Sequence, residues 1–123
     1  MQTPRLLLVE DDQSLREMLT EYLTEEGFEV VAASDGRAAL EAFASQGPFD
    51  VVLTDHQLPH VSGLDLLAEL RRQGQTVPVV VMSGNLQLTR RQQAALGVGR
   101  VMRKPVHLPE LLKRLRREMT RHG

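Results

Sequence analysis

Three short stretches of the chain, Leu6–Val9, Val51–Leu53 and Val79–Met82, are apolar at every position. An unbroken run of this length suits a strand buried on both faces, as in parallel sheets, better than a half-exposed strand of alternating polarity. Between the first two runs, Leu15, Met18, Leu19, Tyr22 and Leu23 stand at offsets 0, 3, 4, 7 and 8. That is the stripe of an amphipathic helix, which Gly27 terminates and Asp12 or Ser14 caps. Phe28–Ala33 reads as a weaker strand, and Ala39, Ala42 and Phe43 mark a second helix ending before the Gly47-Pro48 breaker. Leu64, Leu67 and Ala68 place a third helix after Gly63. The segment Leu86–Leu96 is rich in Arg and Gln and poor in apolar residues, which predicts an exposed, marginal helix. Arg100–Met102 is a candidate edge strand, and Leu108, Leu111, Leu112, Leu115 and Met119 repeat at helical spacing toward the C-terminus.

Strand and helix therefore alternate five times, with no repeat and no linker. Parallel neighbours need crossover connections, so strict alternation in one short chain implies an open α/β fold: a parallel sheet with helices on both faces. At 123 residues the chain is one domain's worth, residues 1–123 forming a single core. Ligands of such sheets bind outside the carboxyl ends of the strands. Those ends carry Glu10, Asp11 and Asp12 after the first strand, Thr54 and Asp55 on the third, Ser83 and Gly84 on the fourth, and Lys104 on the fifth.

Composition changes this picture in three respects. There is no cysteine, which excludes disulfides, thiolate metal sites and cysteine nucleophiles. No run approaches the roughly 20 apolar residues of a membrane span, and no signal peptide is recognisable, so a cytoplasmic chain without membrane contact is expected. Net charge is −1, yet residues 1–69 hold 14 acidic and 3 basic side chains, and residues 70–123 hold 2 and 12. The arginines of the second half lack interleaved aromatics and a recognition motif, so direct nucleic-acid binding is not expected.

Three adjacent carboxylates at the end of an apolar strand repel one another and resist desolvation, so a cation or a proton is needed there. Helix capping explains one of the aspartates and leaves the others. Carboxylate oxygens from two strands make a hard, incomplete site that suits Mg²⁺, an ion that keeps several waters. An aspartate also serves as a nucleophile toward phosphorus, and phosphoryl transfer asks for charge neutralisation and positioning. Asp55, Lys104 and Ser83 fit those tasks beside Asp11. His56 and His60 are four apart, but Pro59 between them breaks the helical pair and no third ligand accompanies them, so zinc is set aside. Gly97-Val98-Gly99 lacks the third glycine and the position of a dinucleotide loop.

Taken together, VEDD at 9–12, LTDHQLP at 53–59, MSG at 82–84 and RKP at 103–105 resemble the receiver domain of bacterial two-component response regulators. The resemblance covers essentially the whole chain and implies a flavodoxin-like, doubly wound (βα)5 fold with strand order 2-1-3-4-5. It maps the acidic pair onto Glu10 and Asp11 and implies Mg²⁺ as cofactor, held directly by Asp11, Asp55 and the backbone carbonyl of Gln57, with Glu10 in the same metal site. It makes Asp55 the phosphoacceptor, Lys104 the counter-charge of the phosphate and Ser83 the hydroxyl that shifts toward the arrived group. Gln57 and Asn85 then tune hydrolysis, and a cis bond is expected at Lys104-Pro105. Two departures fall on the family's output face. Val101 stands where an aromatic residue is usual, and the stretch from Ser83 to Lys104 is short, so a truncated or irregular fourth helix is expected.

The function so implied is a phosphorelay receiver, taking a phosphoryl group from a histidine kinase or phosphotransfer protein and signalling to a downstream protein through its α4-β5-α5 face. It catalyses only its own phosphorylation and dephosphorylation. No DNA-binding segment is read in the chain, and a phosphorylation-dependent homodimer is a further expectation. The alternatives are a degenerate receiver working by phosphorylation-independent contact, a hydrolase of small phosphate esters, and a flavin module. The hydrolase lacks a cap insertion, and the flavin module would want more aromatics than three Phe and one Tyr.

Overall fold

The computed structural model describes residues 3–122, the side chains of residues 100, 121 and 122 excepted. Ten elements alternate: β1 (Arg5–Val9), α1 (Gln13–Glu25), β2 (Glu29–Ala33), α2 (Gly36–Gln46), β3 (Val51–Asp55), α3 (Gly63–Arg72), β4 (Val79–Ser83), α4 (Arg90–Leu96), β5 (Val98–Arg103) and α5 (Leu108–His122). The strands form one parallel sheet in the order β2-β1-β3-β4-β5. β3 and β4 are buried at every position and β1 at all but its first, as their continuous apolar runs require.

Successive side chains along each strand feed two separate cores. Leu7, Val9, Val52, Val79 and Val81 join Ala39 and Ala42 of α2 and Leu66, Leu67 and Leu70 of α3 on one face. Leu6, Leu8, Leu53, Val80 and Met82 meet Leu19 and Leu23 of α1 and Leu111 and Leu115 of α5 on the other. The helix starts have local causes: the side chains of Asp12, Asp35, Ser62 and Thr89 accept a hydrogen bond from the backbone N–H three residues on.

Two helical faces differ from those the periodicity predicts. α3 buries Gly63, Leu66, Leu67 and Leu70, leaving Ala68 exposed and Leu64 only partly covered, because the stripe runs one position later than Leu64 suggests. Met18 of α1 is 41% exposed although it lies on the apolar stripe. The short helix expected in 86–96 is α4: seven residues, none buried, lying against β5. β5 starts at Val98, two residues before the expected edge strand, and its pairing slips between Val79 and Val80, which face Val98 and Arg100. Gly99 is the extra residue of that bulge. The Lys104-Pro105 bond is cis as expected, and so is Gly47-Pro48.

Candidate functional site

All carboxyl ends of a parallel sheet face the same way, so β1, β3, β4 and β5 deliver their terminal polar residues to one edge. Carboxylate oxygens of Glu10, Asp11 and Asp55 lie within 4.8 Å of one another, with Glu10 and Asp55 buried and Asp11 exposed. Lys104 reaches over from the end of β5, its Nζ standing 3.0 Å from Glu10 Oε1 and 3.1 Å from Asp55 Oδ2. One ammonium thus serves two buried carboxylates, and the net charge of these three groups with Asp11 stays negative.

The protonation equilibrium of Glu10 reflects burial first and that imbalance second. Burial pushes the Glu10 carboxyl above the usual glutamate range, and the nearby negative charge of Asp55 adds to the effect. Hydrogen bonds from the Asp12 backbone N–H and from Lys104 oppose this without cancelling it. Burial works against the charge on Lys104, yet its hydrogen bonds to Glu10 and Asp55 outweigh the loss and hold its pKa above the ordinary lysine value.

The three leading acids divide their labour. Asp12 accepts from the Leu15 backbone N–H at 2.9 Å and caps α1, while Glu10 and Asp11 belong to the carboxylate cluster. Arg16, one turn into α1, donates to the Glu10 carbonyl oxygen at 2.9 Å and so fixes the turn that carries them. Reading the motif alone misses this contact; its signal is a cation on the first turn of the helix that follows the acids.

β3 ends in a close approach. The His56 backbone N–H donates to Met82 O and the Gly63 N–H to His56 O, each at 2.8 Å. A Cβ on Gly63 would lie 2.6 Å from Asp55 O, so only glycine lets α3 start this near the end of β3. Gln57 sits beside Asp55, its backbone N–H 3.4 Å from Asp55 Oδ1, and lines the adjoining cleft with Asp11, His56, Asn85 and Leu86. Ser83 is buried at the end of β4, and its Oγ accepts from the backbone N–H groups of Leu86 at 3.0 Å and Asn85 at 3.3 Å. The Lys104 N–H closes the edge by donating to Ser83 O at 2.9 Å.

The structure therefore brings Glu10, Asp11, Asp55, Gln57, Ser83 and Lys104 to one edge. His56 and His60 do not join the cluster of possible metal ligands, and His60 adopts a positive φ of 69° in the loop before α3.

A family profile described as the response regulator receiver domain matches residues 6–116. The chain belongs to that family. A probable transcriptional regulatory protein of Picosynechococcus is 40% identical over 119 residues, which cover 91% of this chain and 47% of that protein. The alkaline phosphatase synthesis transcriptional regulatory protein SphR of Synechococcus elongatus is 39% identical over 121 residues, covering 91% and 47%. This chain thus spans about half the length of these curated relatives. Among solved structures, the receiver domain of the Francisella response regulator 1452 superposes with a TM-score of 0.88 at 27% identity, over 98% of this chain and 99% of that one. The response regulator TrrA of Thermotoga maritima, solved in complex with Mg²⁺-BeF, gives 0.81 at 28% identity, over 94% and 98%. The chain is a response regulator receiver domain of two-component signalling, a signalling module with the flavodoxin-like order of strands. Among the described residues no helix is long and apolar enough to cross a membrane.

Proposed function

We propose that this receiver is a phosphoacceptor, taking a phosphoryl group onto Asp55 from the phosphohistidine of a histidine kinase or phosphotransfer protein. The observation that carries the reading is the placing of one buried carboxylate, Asp55, between a lysine ammonium 3.1 Å away and a cluster of further carboxylates. A carboxylate oxygen of Asp55 attacks phosphorus, the N–P bond breaks, and its electron pair stays on the departing imidazole. Lys104 Nζ, already within reach of Asp55, balances charge on the phosphoryl oxygens as it arrives.

The donor set fits Mg²⁺: hard oxygens only, two buried carboxylates and one exposed, and more negative charge than Lys104 neutralises. Asp11, Asp55 and the carbonyl of Gln57 would hold the ion with Glu10 beside them, and the bound ion would supply charge neutralisation for the transfer. TrrA of Thermotoga maritima, solved with Mg²⁺-BeF, supports this by analogy. The Ser83 hydroxyl has both neighbouring amides on its oxygen and retains its hydrogen for donation to a phosphoryl oxygen. Moving it drags the amides of Asn85 and Leu86, which lead into α4, so the signal has a backbone route to the α4-β5-α5 face despite Val101.

Intact mass after incubation with a small phosphodonor and Mg²⁺ tests the proposal. One added phosphoryl group is expected, absent with a chelator and absent in Asp55→Asn. No adduct, or an adduct that persists in Asp55→Asn, would overturn it. No feature of the site favours the phosphorylation-independent alternative.

A further inference from the structure

Arg16 is a cation set against the electrostatics of its own helix. It stands at the fourth position of α1, whose first turn carries no acid, although the N-terminal turn of a helix favours negative charge. Among the described residues no ion pair engages it. The half-buried guanidinium instead folds back across the turn that precedes the helix. Its Nη1 donates to Glu10 O at 2.9 Å and makes a second, longer contact of 3.5 Å with Asp11 O. These two carbonyls belong to the peptide planes on either side of Asp11.

Asp11 is the acid of the cluster that lacks any other support. The Glu10 carboxylate is held by Lys104 and by the Asp12 backbone N–H, and the buried Asp55 by the same ammonium. The Asp11 side chain is exposed, and among the described residues nothing donates to its carboxylate. Its direction therefore depends on its backbone. Peptide groups are planar, so fixing the planes on both sides of Asp11 fixes its φ and ψ and the line along which its Cβ leaves the chain.

We propose that Arg16 is a positioning residue of the metal site: by clamping the two carbonyls that flank Asp11, it aims that carboxylate into the cluster and sets the affinity for Mg²⁺. The proposal rests on the reading of Glu10, Asp11 and Asp55 as the Mg²⁺ site. Two effects of a guanidinium here oppose each other. It repels a divalent ion nearby, and it spares the ligand the loss of conformational freedom on binding. The choice of acceptor favours the second. A cation recruited for charge balance would sit on a carboxylate, as Lys104 does, whereas Arg16 bonds carbonyls and leaves the negative charge of the ligands for the ion. Such a partner holds a ligand without touching the metal, and removing one typically weakens metal affinity by about 10- to 100-fold.

The test is a Mg²⁺ titration of the unphosphorylated 123-residue chain and two variants, followed by backbone amide NMR shifts, with urea unfolding in chelator beside it. Arg16→Met keeps an unbranched stem and removes the donors and the charge, and Arg16→Lys restores the charge and a shorter donor. The dissociation constant should rise roughly tenfold in Arg16→Met and recover in part in Arg16→Lys, both read under conditions where each variant is folded. In chelator, shift changes should be confined to residues 10–16. An unchanged constant in Arg16→Met would overturn the proposal, and a tighter one would too, by showing that repulsion is the larger effect. No recovery in Arg16→Lys would also overturn it, as would shift changes spread through β3 and β4, which would make Arg16 a residue of the fold rather than of the site. An unaltered chain indifferent to Mg²⁺ would remove the metal reading along with this one, whereas equal binding by all three chains would remove this one alone.

Discussion

Glu10 shows how a single residue trades stability for function. It is fully buried, carries its charge beside Asp55 and receives one hydrogen bond from a lysine shared with that neighbour. Its pKa is raised, so the folded chain binds the proton more tightly than the unfolded chain does. Stability contributed by this group is therefore full below the ordinary glutamate value near 4.5 and is lost as pH rises through the higher, folded value. Ionising this carboxyl is a cost that a nearby cation relieves. Glu10→Gln keeps the shape and an oxygen to accept from Lys104 while removing the charge. In chelator it should flatten the decline of stability above the usual glutamate range, although the amide gives up the oxygen that accepts from the Asp12 backbone N–H. In Mg²⁺ the same variant should bind the ion more weakly. Parallel pH-stability curves for the two proteins in chelator would show that Glu10 carries no such cost. Lys104 has the opposite sign: its raised pKa contributes stability that is present below the ordinary lysine value and lost only as pH rises through the folded one, at strongly alkaline pH.

At the scale of elements, legibility follows burial. β1, β3 and β4 are buried on both faces and announce themselves as unbroken apolar runs, and α1 and α5 as stripes. The phase of α3 was harder to read, because Leu64 and Ala68 extend its apolar surface past the arc that packs on the sheet. α4 offers no packing signal, since none of its residues is buried, and it is held by its ends. Thr89 and Gln92 form a reciprocal capping box, and Gly97 closes the helix at φ 73° with its N–H on Ala94 O and Gln93 O. Arg71 of α3 then donates to Gly97 O at 2.9 Å, tying that end to the neighbouring helix. A helix of seven residues maintained this way should be sensitive to its caps. Thr89→Ala is expected to cost about 1 kcal/mol locally, and Gly97→Ala about as much, because a Cβ there takes an unfavourable φ and meets Arg71 at 2.9 Å. Hydrogen exchange should then speed up in 90–98 while the amides of β1 and β3 keep their protection. Uniform loss across the sheet would instead show that α4 unfolds only with the whole domain.

For the whole molecule, the site is legible because parallel topology converts order in sequence into proximity in space. Glu10 and Lys104 are 94 residues apart, yet their side chains meet at 3.0 Å because β1 and β5 end on the same edge. What the motifs do not carry is the division of roles. Capping preference already offers Asp12 for the start of α1, but nothing in the run of three acids marks Arg16 as the group that fastens the turn; that contact follows from helix geometry one turn later. The same convergence makes the sheet edge strained electrostatically, since the acid-rich residues 1–69, with 14 acidic and 3 basic side chains, bring two buried carboxylates and the exposed Asp11 together there. A divalent ion that binds only the assembled edge should therefore stabilise the entire domain by mass action. At ten times its dissociation constant Mg²⁺ should add about 1.4 kcal/mol to unfolding, which for a domain of this size raises the melting temperature by several degrees. The increment should grow with the logarithm of concentration, vanish in Asp11→Ala, and shrink as acid protonates Glu10. A melting temperature indifferent to Mg²⁺ in the unaltered chain, across concentrations up to tens of millimolar, would mean that Lys104 alone balances the edge and that the cluster holds no metal.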